Sequence, residues 1–429
     1  MNNQNINYHD LLIGIDSKVK TIDNTEVRAI NLDNAATTPP LKKTIEGIVE
    51  FSEYYGSIGR GAGQKAEITT RFYNQARDIV KNFFNIKNND KYSVIFVGNT
   101  TDGINKLSRI LIKNKKDVVL LSRMEHHSND LPWRKRCKVD YIEVDKMGRL
   151  KIKELEEKLI KYKGNIKYVS ITGASNVTGY VNDLKKIARI VHKYKAKLII
   201  DGAQLVPHVK VDMFPNKEEQ IDFLVFSAHK MYAPFGAGAI VGLKDFFDKG
   251  SPANEGGGTV NLVLDKSVEY LLSPEKDEAG TPNFFGVVAM IKAMEELDRI
   301  GFDMIHKNEI ILKEQLNNGL KSIPNITIYG DSEKIDDSLG IIVFNINSMY
   351  HESVAQILAT NYGISVRHGW FCAHPYCRRL MHINEKVASA FIHDSNFKMP
   401  GMIRVSLGMY NDKEDIDYFL NAIEDIAKC

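Results

Sequence analysis

Cysteine is scarce in this sequence, and so are long hydrophobic runs and any excess of one charge. Four cysteines in 429 residues are too few for a disulfide framework. No apolar stretch is long enough for a signal peptide or a membrane span. Lys plus Arg number 57 and Asp plus Glu 54, so a nucleic-acid partner has no support. We therefore expect a protein of the reducing cytoplasm that binds neither nucleic acid nor membrane.

The chain is long enough for two hydrophobic cores, and its 43% hydrophobic residues are ample to form both. Apolar runs of strand length alternate with helical spacing in the first two thirds, which indicates a parallel sheet with helical crossovers. After Gly301 the order changes to helix, strands and helix. We predict an α/β protein with an N-terminal arm over 1–30 that packs with the small domain, a large, mostly parallel-sheet domain over 31–300, and a smaller α+β domain over 301–429.

The individual elements of these domains can be placed from the apolar pattern. A helix is expected after Asp183, a plausible cap, and two more over 305–320 and 416–427. The strands are predicted at 94–97, 118–121, 168–171, 197–200 and 223–226 in the large domain, and at 341–346 and 403–407 in the small one.

Polar side chains follow two of the predicted strands. Asp201 and Gln204 follow the fourth, whereas Ser227, His229 and Lys230 follow the fifth. Because ligands of open α/β sheets bind beyond the carboxyl ends of the strands, these side chains are expected to face one crevice. There Lys230 could form an imine with pyridoxal phosphate, Asp201 could keep the ring nitrogen protonated and Gln204 could bond the ring oxygen. Ser227 and His229 could bind the phosphate. Taken alone, Asp201 could be a helix cap and Lys230 a lysine in solvent. The five residues together favour a cofactor site.

Three further segments could complete this site. Thr100 and Thr101 follow a strand and open a helix, where N–H groups and hydroxyls could meet a phosphate, although an ordinary cap would look the same. His126 lies past the next strand, where its imidazole could stack on the cofactor ring; with His127 it also suggests a metal, but no convincing third ligand is near. Asn176 stands at another strand end, where its amide could reach ring or substrate, or simply form a turn.

Four segments resemble the class V aminotransferase family, in the same order from residue 30 to the C terminus. They are LDNAATTP at 32–39, DGAQ at 201–204, SAHK at 227–230 and AGTPN at 279–283. The branch that the chain resembles is that of the cysteine desulfurases and selenocysteine lyases of the SufS-like, type II group. The segment NEGGGT at 254–259 is similar to the glycine-rich hairpin of that group.

The resemblance implies a fold-type I pyridoxal-phosphate transferase that forms a homodimer with two shared active sites. The threonine matching Thr281 reaches the phosphate of the other subunit in this family. Arg404 would pair with the substrate carboxylate, a task that suits a planar guanidinium fork, and Arg367 would assist it. The remaining implied roles match those above. Lys230 would be the imine lysine, Asp201 the partner of the ring nitrogen, Gln204 the donor to the ring oxygen and His126 the stacking imidazole. The phosphate would be bound by Thr100, Thr101, Ser227 and His229.

The implied chemistry depends on Cys372, which follows Arg367 by five residues, as the nucleophile does in desulfurases. L-cysteine would become L-alanine while Lys230 shuttles the α-proton and the Cys372 thiolate attacks the substrate sulfur. A persulfide would remain for an acceptor protein. Arg367, His368 and His374 would favour the thiolate; the alternative is an inert buried thiol.

The segment around Cys372 also departs from the family pattern. Trp370 and Phe371 place two large aromatics before the nucleophile, which could mean a different substrate. Cys377 could receive sulfur or be a helix residue. Other class V reactions remain open as well: a selenocysteine lyase, C–S lyase, aminotransferase or epimerase would need Lys230 but tolerate loss of Cys372. A scaffold that binds cofactor without turnover is a third hypothesis.

Overall fold

A seven-stranded sheet lies at the centre of the protein, and a four-stranded sheet forms a second layer towards the C terminus. The structure is a computed structural model that describes residues 7–59, 61–87, 89–390 and 398–428. The strands are β1 (Lys18–Lys20), β2 (Glu26–Arg28), β3 (Ile30–Asn31), β4 (Tyr92–Val97), β5 (Val118–Ser122), β6 (Lys138–Ile142), β7 (Ile166–Thr172), β8 (Lys197–Asp201), β9 (Phe223–Ser227), β10 (Gly238–Leu243), β11 (Val260–Leu264), β12 (Ser267–Tyr270), β13 (Ile326–Tyr329), β14 (Ile341–Ile346), β15 (Ile364–Ser365), β16 (Arg367–Gly369) and β17 (Met402–Ser406). The helices are α1 (Lys42–Ser52), α2 (Gln64–Phe83), α3 (Thr100–Leu111), α4 (Leu131–Arg134), α5 (Ile152–Lys161), α6 (Leu184–Lys193), α7 (Lys244–Asp248), α8 (Phe284–Ile300), α9 (Phe302–Ser322), α10 (His351–Tyr362), α11 (His374–Leu380), α12 (Glu385–Ala390) and α13 (Lys413–Ala427).

The central sheet has the order β4-β10-β9-β8-β7-β5-β6. From β6 to β9 all neighbours are parallel, and β10 runs antiparallel to both β9 and β4. Strands β4, β5 and β9 are buried along their whole length, as expected where helices cover both faces of a parallel sheet. The five predicted strands of this sheet are confirmed, each to within two residues.

Alternate residues of each strand enter two different cores, because side chains along a strand point to opposite faces. Val94 and Phe96 pack with helices α2, α6 and α8 on one face. Ile95 and Val97 pack with α3 and with Trp133 on the other. The helix predicted after Asp183 is confirmed as α6, and the Asp183 side chain accepts from the backbone N–H of Lys186.

The C-terminal part has a core of its own. Its antiparallel sheet, in the order β13-β14-β17-β16, packs against α9, α10 and α13. The two predicted strands and the two predicted helices of this part are confirmed. The α/β prediction with a smaller α+β unit therefore describes the architecture.

The first residues of the chain contact both cores. Leu12 is buried in the core of the central sheet, whereas the backbone N–H of Ile30 donates to Gly363 O, and β3 pairs in parallel with β15. The predicted domain limits at residues 30 and 300 stay a prediction. Within the part of the chain that the structure describes, no helix has both the length and the apolar character needed to cross a membrane.

Helix α3 packs directly against the sheet at Gly103. A Cβ atom added at Gly103 would lie 2.5 Å from Val225 Cγ1 and 3.2 Å from Ile240 Cγ1. Since α3 begins at the carboxyl end of β4, this close approach also sets the position of its first residues relative to the ends of β9 and β10.

We expect Gly103→Val to lower the free energy of unfolding by ~1–3 kcal/mol, because the added methyl groups overpack the contact with β9 and β10. Urea denaturation followed by circular dichroism measures this change. Gly257→Val is the control, since a Cβ at Gly257 meets no atom within 4 Å. Equal stability of the two variants would show that α3 can move away from the sheet without cost.

Candidate active site

A cavity of about 530 Å³ opens at the carboxyl ends of the parallel strands. Its walls come from the ends of β7, β8 and β9, from the start of α3 and from the C-terminal sheet. The predicted site residues that line it are Thr100, Thr101, His126, Asn176, Asp201, Gln204, Ser227, His229, Lys230, Arg367, Cys372 and Arg404. Residues distant in sequence are thus brought to one place, although their individual roles stay predictions.

Lys230 and Asp201 form the charged centre of the cavity. Asp201 is the last residue of β8, and Lys230 closes the helical turn that directly follows β9. Burial lowers the pKa of Lys230 to about 8, although the Asp201 carboxylate opposes this shift. Burial raises the pKa of Asp201, opposed by the N–H of Ala203, which donates to Oδ1 at 3.0 Å, and by the charge of Lys230. The Lys230 amine donates to Gln204 Oε1 at 3.4 Å.

Hydroxyl groups surround the first turn of α3. Asn99 caps this helix by accepting from the N–H of Asp102. Ser227 Oγ accepts from the backbone N–H of Thr100 at 2.8 Å and lies 2.8 Å from Thr100 Oγ1. Because a helix N terminus carries partial positive charge and free N–H groups, this corner of the cavity favours an anion such as a phosphate.

The two imidazoles of the cavity have lowered pKa values, which favours the neutral form of each ring. Burial, followed by the charge of Lys230, lowers the pKa of His126 to about 3 and that of His229 to about 4. His126 Nδ1 accepts from the backbone N–H of Ser128 at 3.1 Å. A neutral ring held in this way suits stacking on an aromatic cofactor. At the preceding residue, Glu125, burial raises the pKa of the carboxyl group to about 8.

Two arginines from the C-terminal sheet complete one wall. Arg404 in β17 lies directly opposite Arg367 in β16. The Arg404 guanidinium is almost fully buried; Nη1 donates to Asn176 O at 2.9 Å, and Nη2 donates to Asp33 Oδ1 at 2.8 Å. Its Nε finds no hydrogen-bond partner among the described residues. Asp33 lies in the LDNAATTP segment but is not among the predicted site residues; its place just after a short strand is the signal that marks it.

The loop carrying Cys372 is held by contacts with residues that follow strands β5 and β7 of the central sheet. The Cys372 side chain is exposed, yet its carbonyl accepts from the N–H of His127 at 2.7 Å. The amide of Asn176 donates to Phe371 O at 2.8 Å. Phe371 and Cys372 both have positive φ, 48° and 53°, a conformation that costs free energy in residues other than glycine and is kept only by such surrounding contacts.

The neighbours of Cys372 differ in where they lie. Phe371 enters the cavity, and its ring centre lies 5.1 Å from the Arg404 guanidinium carbon. Trp370 instead donates from Nε1 to Pro400 O and makes an edge-to-face contact with His374. His374 also contacts the ring of His127. Of the two aromatics that depart from the family pattern, Phe371 is therefore the one that lines the cavity.

The second cysteine of this segment is buried in α11. Cys377 Sγ donates to Trp370 O at 3.2 Å, and burial raises the pKa of its thiol well above the ordinary range. His368 stacks on His351, 5.3 Å between ring centres. A buried, protonated Cys377 favours the interpretation of this residue as part of the helix core.

Thr281 is the predicted site residue that the cavity of its own chain does not include. Within the described residues it is exposed, in the turn before α8, so its assignment to the other subunit stays a prediction. In the same described part of the chain, no three His, Cys, Asp or Glu side chains come together in a way that could hold a metal ion.

The donor set of the cavity fits pyridoxal phosphate. It combines an amine of lowered pKa, a buried carboxylate and a neutral imidazole. Hydroxyls stand at a helix N terminus, and the buried Arg404 Nε still lacks a partner among the described residues. The amine can bind an aldehyde, the buried carboxylate a ring nitrogen and the imidazole an aromatic face. The hydroxyls at the helix N terminus can bind a phosphate, and Arg404 can bind a carboxylate.

Comparisons with known proteins agree with this reading. A family model described as aminotransferase class-V matches residues 30–419. A cysteine desulfurase of Wigglesworthia glossinidia brevipalpis is 33% identical over 411 residues, 93% of each chain. A probable cysteine desulfurase of Pyrococcus abyssi is 31% identical over 408 residues, 93% of this chain and 94% of its own.

Solved structures show the same likeness. An apo cysteine desulfurase from Thermococcus onnurineus NA1 has a TM-score of 0.82 at 28% identity, covering 93% of this chain and 95% of its own. An S-sulfonic acid form of an Escherichia coli cysteine desulfurase has a TM-score of 0.79 at 26% identity, covering 93% and 94%. The predicted fold-type I architecture is thereby confirmed, and the chain belongs to the class V aminotransferase family of pyridoxal-phosphate enzymes.

Proposed function

We propose that this protein is a pyridoxal-phosphate-dependent cysteine desulfurase that converts L-cysteine to L-alanine and keeps the sulfur as a persulfide on Cys372. The observation that carries the proposal is that the exposed thiol of Cys372 lines the same cavity as Lys230, Asp201 and Arg404. The cysteine desulfurases among its relatives support the choice of substrate.

The cofactor, when bound, supplies an electron sink for the negative charge that develops at the substrate α-carbon. Asp201 would hold the proton on the ring nitrogen, and the neutral ring of His126 would cover one face. Thr100, Thr101, Ser227 and His229 would bind the phosphate, with Gln204 on the ring oxygen. These assignments rest on which side chains line the cavity and on the pKa directions of its buried groups.

The chain's own residues would perform the transfer of protons and sulfur. Arg404 and Arg367 bind the substrate carboxylate through charge-assisted hydrogen bonds. The Lys230 amine, with its lowered pKa, takes the α-proton and returns a proton to carbon. The Cys372 thiolate attacks the substrate sulfur, the carbon–sulfur bond breaks, and its electron pair stays with the carbon. That carbon becomes the methyl group of alanine by taking up one proton, equal in number to the one that the Cys372 thiol released. Sulfur remains on Cys372.

Several features support the finer assignments. The apolar side chains of Leu262, Val263 and Leu264 in the β11–β12 hairpin are each at least half exposed, which supports a homodimer in which Thr281 reaches the other subunit. The glycine-rich turn before this hairpin supports the SufS-like, type II branch. The accessibility of Cys372 supports delivery of sulfur to an acceptor protein, and a thiol mechanism fits a reducing cytoplasm.

We expect Cys372→Ser to keep the yellow absorbance of the bound cofactor but to form L-alanine from L-cysteine roughly 100-fold more slowly or worse, because the attacking thiolate is lost. Alanine and sulfide release in the presence of a thiol reductant measure this change. Cys137→Ala is the matched control: Cys137 is buried among the residues around Trp133, outside the cavity, and its loss should leave turnover unchanged. Full activity of Cys372→Ser would contradict the persulfide route and favour a class V reaction that needs no thiol.

The second prediction concerns the pH dependence of cofactor attachment. Lys230 is charged below its pKa of about 8 and neutral above it, and only the neutral amine attacks an aldehyde. The rate at which apo-protein acquires the yellow absorbance should therefore rise with pH and level off above about 8. Stopped-flow mixing with pyridoxal phosphate gives this profile.

Asp201→Asn sharpens the pH experiment. The Asp201 carboxylate raises the pKa of Lys230, so its neutralisation should move the midpoint of the profile to lower pH. A wild-type rate that keeps rising to the pH of an ordinary lysine, ~10.4, would show that the amine is not desolvated.

A further inference from the structure

Two positive charges face each other at the edge of the cavity. Arg367 and Arg404 are direct partners in the antiparallel pairing of β16 with β17. Like charges at such positions destabilise a sheet. Asp33 lies between them: its Oδ1 accepts from Arg404 Nη2 at 2.8 Å, and its Oδ2 lies 2.7 Å from Arg367 Nη2. The single carboxylate of Asp33 therefore forms an ion pair with each of the two guanidinium groups.

Asp33 is itself firmly placed relative to β17. Its backbone N–H donates to Asn31 Oδ1 at 3.0 Å, and the residue forms a bridge with Ser406. The next residue, Asn34, donates its side-chain amide to Ser406 O at 3.1 Å. The backbone N–H of Ala35 then donates to Ser406 Oγ at 2.9 Å. The segment thus holds the carboxylate at a fixed position beside the strand that carries Arg404.

The two arginines depend on Asp33 to different degrees. Arg404 is 3% exposed and is also held by Asn176 O. Arg367 has a half-exposed side chain, and Asp33 is its one ionic partner among the described residues. Without Asp33, nothing else in that part of the chain would keep the Arg367 guanidinium next to Arg404.

We infer that Asp33 is a positioning residue for carboxylate recognition, which orients Arg367 beside Arg404 so that both can bind the carboxylate of an amino-acid substrate. The inference rests on the proposed function, because it takes an amino acid as the substrate. Asp33 acts through the arginines: among the described residues that line the cavity both arginines occur but Asp33 does not. Each guanidinium has five N–H donors, so donors remain for the incoming carboxylate.

The test compares two ligands that differ by the carboxylate. Holoenzyme is titrated with L-alanine and with ethylamine, and the change in cofactor absorbance gives each Kd. For Asp33→Asn we expect the Kd of L-alanine to rise about tenfold, as for loss of one charge-assisted interaction. The Kd of ethylamine should stay within about twofold, since ethylamine makes no contact that depends on the arginines.

Glu143→Gln is the matched control. Glu143 also spans two arginines, with Oε1 3.1 Å from Arg123 Nε and Oε2 2.7 Å from Arg379 Nε, and it lies outside the cavity. Loss of this charge should leave both Kd values unchanged. Unchanged or tighter L-alanine binding in Asp33→Asn would overturn the inference, and so would an equal loss for ethylamine.

A double-mutant cycle shows whether Asp33 works through Arg367. Arg367→Gln should weaken L-alanine selectively, and adding Asp33→Asn to it should cost less than about twofold more. If Asp33→Asn fails to fold, Arg367→Gln alone decides: unchanged L-alanine affinity overturns the inference. In steady-state assays, KM for L-cysteine should rise in Asp33→Asn while kcat changes little.

The same titrations separate the inference from the proposed function. If the wild-type holoenzyme does not release sulfide from L-cysteine but binds L-alanine more tightly than ethylamine, and Asp33→Asn removes that preference, the desulfurase proposal fails and the role of Asp33 stands. If desulfuration is present but the preference does not change in Asp33→Asn, the role of Asp33 fails and the proposed function stands.

Discussion

The burial of an amine next to a carboxylate is the constraint on which the site depends. Asp201 ends β8, and Lys230 follows β9, its parallel neighbour, so the two strands deliver both groups to one edge of the sheet. Burial there weakens the charged form of each group. The attraction between the two groups offsets part of this cost, and so does the N–H of Ala203 for Asp201. A lysine in solvent keeps its proton up to about pH 10, whereas this amine loses it near pH 8.

The residues that line the cavity come from the central-sheet part and from the C-terminal part of the chain. A few hydrogen bonds connect the two parts at the cavity. Asn176 belongs to the loop after β7; its carbonyl accepts from Arg404 and its amide donates to Phe371 O. The N–H of His127 donates to Cys372 O. Residues that follow strands of the central sheet thus orient Arg404 and the loop that carries Cys372 through backbone and amide groups. These are short-range interactions, so small movements between the cores would change the geometry of the thiol loop.

Much of this arrangement follows from the sequence, because apolar runs that end in polar residues are a local signal. The strands before Asp201 and Lys230 and the cap of α6 were predicted in this way and are confirmed. The site residues were predicted from strand ends and from family resemblance, and the structure brings all except Thr281 to one cavity.

Other features have no local signal. The pairing of Asp33 with Arg367 and Arg404 joins residues more than 300 positions apart, and it arises from the bridge between Asp33 and Ser406. The positive φ of Phe371 and Cys372 is imposed by partners in the other core, since neither residue type favours it. The direction of the buried Trp370 side chain, away from the cavity, likewise depends on Pro400. Tertiary contacts determine these conformations, so the local sequence pattern does not predict them.

The hairpin of β11 and β12 affects how an isolated chain behaves in solution. It is a two-stranded ribbon with apolar side chains at its surface and backbone edges that no third strand covers among the described residues. Such edges template pairing with other molecules and promote aggregation. Asp265 and Lys266 occupy its tip, where charges act as gatekeepers against uncontrolled stacking. Neutralising Asp265 and Lys266 would therefore reduce the solubility of the chain without changing the lining of the cavity.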